Sequence, residues 1–340
     1  MENTSVNYKS KAGQSEFKKS IAKFHNPSLK KSLWQLANSF VPYFVLWAFM
    51  IFSMNISYWL TLAIAVPAAG FMVRLFIIFH DCGHGSFFKS EQANNIVGSL
   101  TGILTFTPYF QWRYQHALHH STSGDLDRRG IGDVWTMTVN EYKDASSWRR
   151  LAYRVYRNPF VMIVIGPLVM FLIVHRLVSL KEKRRERHSV HWTNLALFAI
   201  AVIMSLTIGF KAYILIQIPV LMIAGSAGIW LFYVQHQFEG VYWERSDQWD
   251  FVAASIHGSS FYKLPKVLQW FSGNIGFHHI HHLNSRIPNY NLEECHKENA
   301  VFQKVKPVTL GSSLKSLSFR LYDEKQRRLV HFRALKHADL

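Results

Sequence analysis

The histidines of this 340-residue chain, 18 in all, gather into three short clusters. The clusters are His80-Asp81-Cys82-Gly83-His84, His116-Ala117-Leu118-His119-His120 and His278-His279-Ile280-His281-His282. Because residues three and four positions apart share one face of an α-helix, eight imidazoles would be presented on common faces: His80, His84, His116, His119, His120, His278, His281 and His282. Cys82 and His279 fall away from those faces and are poor ligand candidates.

Such clusters are suited to binding metal ions. Neutral imidazole is the commonest protein metal ligand, and it suits iron, copper, zinc and nickel. A lone histidine is more often an ordinary polar side chain, but eight imidazoles in one place are costly to bury unless they bind something. Eight ligands are too many for one ion, so the pattern predicts a binuclear metal site. A zinc protease is disfavoured, because the first cluster lacks the glutamate of the H-E-x-x-H motif.

Long segments without charged residues indicate the helices that would carry these histidines. Between Ser32 and Val73 the chain has no Asp, Glu, Lys or Arg, which is enough for two spanning helices of about 20 residues each. A second pair of uncharged stretches, His188–Phe210 and Ala212–Phe238, is interrupted only by Lys211. We therefore predict an all-α membrane protein with two transmembrane hairpins, about 33–79 and 188–238. These make four crossings, with the histidine clusters in a cytoplasmic helical cap.

Two further apolar stretches, about 92–112 and 158–175, are assigned to the membrane interface or to a re-entrant segment. Basic sequence flanks the second stretch on both sides, and short cytoplasmic loops are enriched in Lys and Arg. The same rule places both termini and all three clusters on the cytoplasmic side. The predicted organisation is a basic cytoplasmic arm (1–32), a histidine-bearing domain (33–283) and a cytoplasmic C-terminal extension (284–340).

The composition excludes several other classes of protein. With 49% hydrophobic and 17% charged residues, the chain is neither disordered nor collagen-like. The net charge of +17 alone would point to a nucleic-acid partner. The charged residues lie outside the long uncharged stretches, however, so most of the positive charge is expected on the cytoplasmic face of a membrane protein. No nucleic-acid partner is therefore expected. The two cysteines cannot form a disulfide framework, which favours a reducing compartment. No cleavable signal peptide is expected, because the first apolar run follows a polar, basic arm.

The clusters and the sequence around them resemble the membrane fatty acid desaturase superfamily. The matching segments are Phe79–Phe88 (FHDCGHGSFF), Gly132–Thr136 (GDVWT), Phe232–Glu239 (FYVQHQFE) and Gly273–His279 (GNIGFHH). They look like the bacterial acyl-lipid branch, in particular its members that act at the delta-5 position of phospholipids. The resemblance runs from about residue 30 to residue 323.

This resemblance implies an enzyme that converts adjacent methylenes of a saturated acyl chain into a cis double bond. Members of the family hold two irons, bind O2 and take two electrons from ferredoxin or flavodoxin. The eight cluster histidines would be iron ligands, and His236 a ninth. The acyl-CoA branch has an asparagine four residues before the ninth histidine, where this chain has Phe232, and this departure favours the acyl-lipid branch. A membrane lipid substrate and a bacterial cell membrane are also implied.

Two alternatives stay open at this stage. One is a related di-iron hydroxylase or oxygenase acting on lipid, alkane or carotenoid. The other, a metal transporter or sensor, is the least favoured, because the histidines lie at helix ends rather than at mid-membrane. The double-bond position, the head group, the natural electron donor and the oligomeric state are not specified by the sequence.

Several residues near the clusters have two interpretations each. Asp81 either hydrogen-bonds a ligand imidazole or is a solvated helix-end carboxylate, and Asp133 and Asp125 are weaker candidates for the same role. Gly83 and Gly85 either allow a close backbone approach or simply end the helix.

The basic pair Arg128-Arg129 and the run Lys181–Arg187 have two interpretations as well. They either contact anionic lipid or an acidic ferredoxin, or only record the membrane topology.

Overall fold

The computed structural model describes residues 20–179 and 182–336. Most of the predicted basic arm, residues 1–19, and Lys181 of the basic run Lys181–Arg187 lie outside them. The α-helices are α1 (Leu29–Ser53), α2 (Tyr58–His84), α3 (Glu91–Leu104), α4 (Tyr109–Thr122), α5 (Val139–Asp144), α6 (Ser147–Tyr156), α7 (Gly166–Leu172), α8 (Arg184–Thr207), α9 (Phe210–His236), α10 (Phe251–His257), α11 (Lys266–Phe271), α12 (His278–Leu283), α13 (Asn289–Glu298), α14 (Ala300–Gln303) and α15 (Leu310–Ser313). Short 3-10 helices cover Lys23–His25, Val174–Arg176, Leu314–Ser318 and Phe332–Lys336, and a π-helical turn covers Val161–Ile165.

Among the described residues, four helices are long and apolar enough to cross a membrane: α1, α2, α8 and α9. The prediction of an all-helical membrane protein with two hairpins is therefore confirmed. The structure extends α2 five residues beyond the predicted end at residue 79, through the first histidine cluster to His84. The helix ends there because Gly85 adopts a left-handed conformation, with φ +68°, as is common after the last helical residue.

The two segments assigned to the interface have different shapes. Residues 92–112 are split between α3 and α4 by a turn at Thr105–Pro108, in which Phe106 has a positive φ of 57°. Helices Ser147–Tyr156 and Val161–Arg176 are apolar enough together to span, but they are bent by 66°. They therefore form either a fifth span or a re-entrant segment, and the interfacial assignment of both segments stays a prediction.

Helix α2 lies at the centre of the bundle and packs against α1, α3 and α9. Ala65, Ala68 and Ala69 are buried, and such small side chains let neighbouring membrane helices approach closely. Closer to the histidines, the larger side chains of Ile78 and Phe79 are fully buried. The first cluster is thus anchored on the most buried of the four membrane-length helices.

Residues beyond 283 fold back onto the histidine-bearing part of the chain. A three-stranded sheet has the order β1 (Met137–Thr138), β4 (Leu321–Asp323), β5 (Arg328–Val330), with β1 parallel to β4 and β4 antiparallel to β5. A parallel pair joins β2 (Phe261–Lys263) to β3 (Pro307–Thr309). Leu292 and Phe302 are fully buried in one cluster with Ile280 of the third histidine cluster. The domain boundary at residue 283 therefore stays a prediction, although residues beyond it pack against the histidine-bearing part of the chain.

Candidate metal centre

Four helices bring the predicted histidines to one end of the bundle. Helix α2 supplies the first cluster at its C-terminus, α4 the second, α12 the third, and α9 ends at His236. Histidines that are more than a hundred residues apart in sequence become neighbours in this way. Ring nitrogens of His119 and His236, for example, lie 3.1 Å apart.

The nine histidines form two groups, and in each group the potential ligand atoms lie within 4.8 Å of one another. The five-histidine group consists of His80, His84, His116, His120 and His281. The four-histidine group consists of His119, His236, His278 and His282. Together they contain the nine histidines that were proposed as ligands from the sequence, and among the described residues no other cluster of this kind occurs.

The spacing of the ring nitrogens fits bound metal ions. Four Nε2–Nε2 distances are 3.0–3.1 Å: His116–His120, His120–His281, His119–His236 and His236–His278. Two nitrogens bonded to one metal at about 2.1 Å and at right angles would lie about 3.0 Å apart. Moreover, the buried Nε2 atoms of His84 and His282 have no hydrogen-bond partner among the described residues. Unpartnered buried nitrogens and an all-imidazole donor set fit a site for two transition-metal ions.

Burial also sets the protonation state that metal binding needs. Desolvation, reinforced by the neighbouring imidazoles, lowers the pKa of His116 and His120 well below its usual range. The same two causes lower the pKa of His281 and His282. These side chains are therefore neutral near pH 7, and the neutral imidazole is the form that binds a metal ion.

Each histidine group has one member whose ring is oriented by a carboxylate. Asp133 Oδ1 lies 2.5 Å from His119 Nδ1, and Asp81 Oδ1 lies 3.2 Å from His80 Nδ1. A carboxylate that accepts a hydrogen bond from Nδ1 fixes the ring and leaves Nε2 free for a metal. Asp125 has no such role, because its carboxylate instead accepts hydrogen bonds from Arg128 and Ser246.

Three further residues shape the site; Asn289 and Trp112 were not identified from the sequence, and Phe232 was noted only as a departure from the acyl-CoA branch. The backbone N–H and the side-chain amide of Asn289 both donate to Asp81 Oδ2, at 2.6 and 2.8 Å. The Trp112 ring stacks on His116 with a centroid distance of 4.2 Å. The Phe232 ring lies 5.2 Å from both His119 and His236. The contact of Trp112 could have been predicted, because Trp112 precedes His116 by one helical turn. The contact of Asn289 could not, because no short sequence spacing links Asn289 to the first cluster.

The structure separates the residues that had two interpretations. A Cβ at Gly83 would lie 2.9 Å from the Trp112 ring, so this glycine permits a close approach, whereas a Cβ at Gly85 would meet nothing within 4 Å. Cys82 and His279 are buried but belong to neither histidine group.

Gly276, two residues before the third cluster, should tolerate no side chain. Its carbonyl accepts from the Tyr262 N–H at 2.7 Å, and a Cβ there would lie 2.4 Å from the Tyr262 carbonyl oxygen. We expect Gly276→Ala to lower the free energy of unfolding by about 1–3 kcal/mol through overpacking, measured by denaturant or thermal unfolding of purified protein. Gly228→Ala, whose Cβ would meet nothing within 4 Å, should be neutral or slightly stabilising. Equal stability of the two variants would contradict this packing.

The fold and the site define the general class of this protein: a helical membrane protein with two histidine groups at one end of the bundle that are able to hold metal ions. Comparison with known proteins gives the family. Residues 57–309 match the profile of the fatty acid desaturase family, and the chain belongs to that family. The predicted enzyme class, a fatty acid desaturase, is confirmed with it.

The relatives include enzymes that act on lipid-bound acyl chains. A fatty acid desaturase of Bacillus subtilis is 51% identical over 324 residues, which cover 95% of this chain and 92% of that protein. An sn-1 oleoyl-lipid 12-desaturase of Synechocystis is 27% identical over 66% of this chain and 64% of its own length. An sn-1 acyl-lipid omega-3 desaturase (ferredoxin) of Synechocystis is 25% identical over 65% of this chain and 62% of its own length.

Proposed function

We propose that this enzyme introduces a cis double bond into saturated acyl chains of membrane phospholipids, at the delta-5 position or another position, using O2 and two electrons from ferredoxin or flavodoxin. The observation that carries the proposal is the pair of histidine groups at the end of a bundle that belongs to the desaturase family. In the balanced reaction, the acyl chain loses two hydrogens and the donor supplies two electrons. With two protons from solvent, these reduce one O2 to two waters.

We propose the nine histidines of the two groups as ligands of two irons. When bound, the irons would supply the redox chemistry that an unactivated methylene requires, since such a group offers no acidic proton and no electrophilic centre. Zinc would suit the same ligands but not the reaction.

The chain's own residues prepare the site for this chemistry. Asp81 and Asp133 hold the Nδ1 side of His80 and His119, so that their Nε2 atoms face the groups. The rings of Trp112 and Phe232 cover His116 and His119. These apolar walls exclude water next to the imidazoles, which protects a reactive site from side reactions.

The proposed location is the bacterial cell membrane, with both termini and the histidine groups on the cytoplasmic side. The basic segments on either side of 158–175 support this orientation, because Lys and Arg are enriched in cytoplasmic loops. Cytoplasmic access would let a soluble ferredoxin-type donor reach the site. The named ferredoxin dependence of one relative supports the choice of donor.

The test is expression of the chain in a bacterial host that lacks its own desaturases, followed by analysis of membrane fatty acids. A new cis double bond is expected, and its position identifies the regiospecificity. His119→Ala should abolish the product. Purified, iron-loaded protein that yields only hydroxylated lipid with reductant and O2 would instead favour the hydroxylase alternative.

A further inference from the structure

Helix α6 is amphipathic in an unusual way, because its apolar side is exposed. Trp148, Leu151 and Val155 are 77%, 50% and 51% exposed, and their spacing places them on one face of the helix. Tyr153, on the opposite side, is fully buried. A short helix that exposes an apolar stripe flanked by basic residues is typical of helices that lie in a membrane interface.

The segment that follows strengthens this placement. Helices Ser147–Tyr156 and Val161–Arg176 are joined at a 66° bend and are together as apolar as a membrane span. Phe160, at the junction, is 63% exposed. Helix α6 would therefore lie along the bilayer surface at the point where the chain dips into it.

A basic groove of about 460 Å³ opens beside the apolar stripe. Its cationic lining residues are Lys143, Arg150 and Arg154, and Leu151 and Leu335 form its apolar part. Among the described residues, no carboxylate lines it. The groove thus combines positive charge at the surface with an apolar side chain that also belongs to the exposed stripe.

The two arginines of the groove differ in how they are held. Arg154 Nε donates to the Tyr142 hydroxyl at 2.5 Å, and its guanidinium lies over the Phe332 ring at 5.3 Å, so this side chain is pre-oriented. The side chain of Arg150 makes no hydrogen bond or ion pair with the residues that the structure describes. Arg150 and Arg154 are one turn apart on the same side of α6, whereas Arg149 lies about 100° away from Arg150 around the helix axis.

We propose that this groove binds the phosphate head group of an anionic phospholipid from the leaflet that α6 contacts. Guanidinium groups pair well with phosphate oxygens, and Leu151 would contact the beginning of the acyl chains. The inference rests on the membrane placement of the proposed function but not on its acyl chemistry. A measurement of binding therefore tests it without turnover.

The experiment uses the full chain purified in a non-ionic detergent. Short-chain phosphatidylglycerol is titrated while the unfolding temperature is followed, since a ligand that binds the folded state raises it. Phosphatidylcholine of the same chain length and inorganic phosphate are the comparison ligands. We expect phosphatidylglycerol to stabilise the protein at concentrations where the other two do not.

Arg150→Gln and Arg149→Gln form a matched pair, because each removes one positive charge from the same helix. Loss of one arginine near anionic lipid is expected to weaken binding about fivefold, so Arg150→Gln should raise the apparent dissociation constant by that factor. Arg149→Gln should leave it unchanged.

Three outcomes would overturn the proposal. Equal weakening by both variants would mean diffuse surface charge rather than a groove. Equal stabilisation by inorganic phosphate would mean a site for free anions. Unchanged lipid affinity in Arg150→Gln, together with weaker binding of an acidic ferredoxin, would assign the groove to a protein partner.

Discussion

Replacement of His281 by alanine is expected to abolish double-bond formation and to remove iron from one of the two proposed sites. His281 Nε2 lies 3.1 Å from His120 Nε2 within the five-histidine group, so the substitution removes a donor from the middle of that group. The remaining imidazoles could not reproduce its position, because they are fixed by α2 and α4. Fatty acid analysis of expressing cells measures the first effect, and iron per chain in purified protein measures the second.

His279 provides the matched control, because it lies in the same cluster and is equally buried. Its ring contacts Phe261 and His296, at centroid distances of 5.6 and 5.7 Å, and it belongs to neither group. His279→Ala should therefore lower the unfolding temperature by opening a cavity, while iron content per folded chain stays at the wild-type level. If His279→Ala lost iron to the same extent as His281→Ala, the proposed ligand set would be wrong.

The cluster histidines could be predicted from sequence because their arrangement is local. Spacings of three and four residues fix a common face on any helix, and the structure brings the predicted faces together. His236 has no such neighbour. Its place at the end of α9 could be proposed only through the resemblance of Phe232–Glu239 to the desaturase family.

The division of the histidines into two groups could not be predicted. His119 and His120 are adjacent on α4 but fall in different groups, and so do His281 and His282 of α12. Which ring joins which group depends on how α9 and α12 cross α4. Crossing geometry follows from the packing of whole helices and is not encoded in the spacing within a cluster.

The packing of the tail, residues 284–336, against the first histidine cluster could not be predicted for a related reason. Strands β1, β3 and β4 are only two or three residues long, too short for an alternating pattern to predict them. The contact of Asn289 with Asp81 joins residues 208 positions apart. A basic, mixed-composition tail therefore looked like an extension, although it supplies two hydrogen bonds to a carboxylate beside the first histidine cluster.

Asp133→Asn is expected to weaken iron binding by the four-histidine group about 10- to 100-fold. The carboxylate accepts from His119 Nδ1 at 2.5 Å, which fixes the tautomer and makes Nε2 a better donor to a metal. An asparagine keeps the size of the side chain but loses its charge, so the ring is held less firmly and is less basic. Iron retention during titration with a chelator measures the affinity, and product formation should fall in parallel.

Asp125→Asn separates this effect from general damage to the same loop. Asp125 is fully buried, but its carboxylate accepts hydrogen bonds from Arg128 at 2.6 Å and Ser246 at 2.9 Å and contacts no histidine of the two groups. Its substitution should lower the unfolding temperature, because a buried ion-pair partner is lost, without changing iron affinity. Equal loss of iron in both variants would mean that the fold of the loop, rather than the hydrogen bond from His119 to Asp133, holds the imidazole in place.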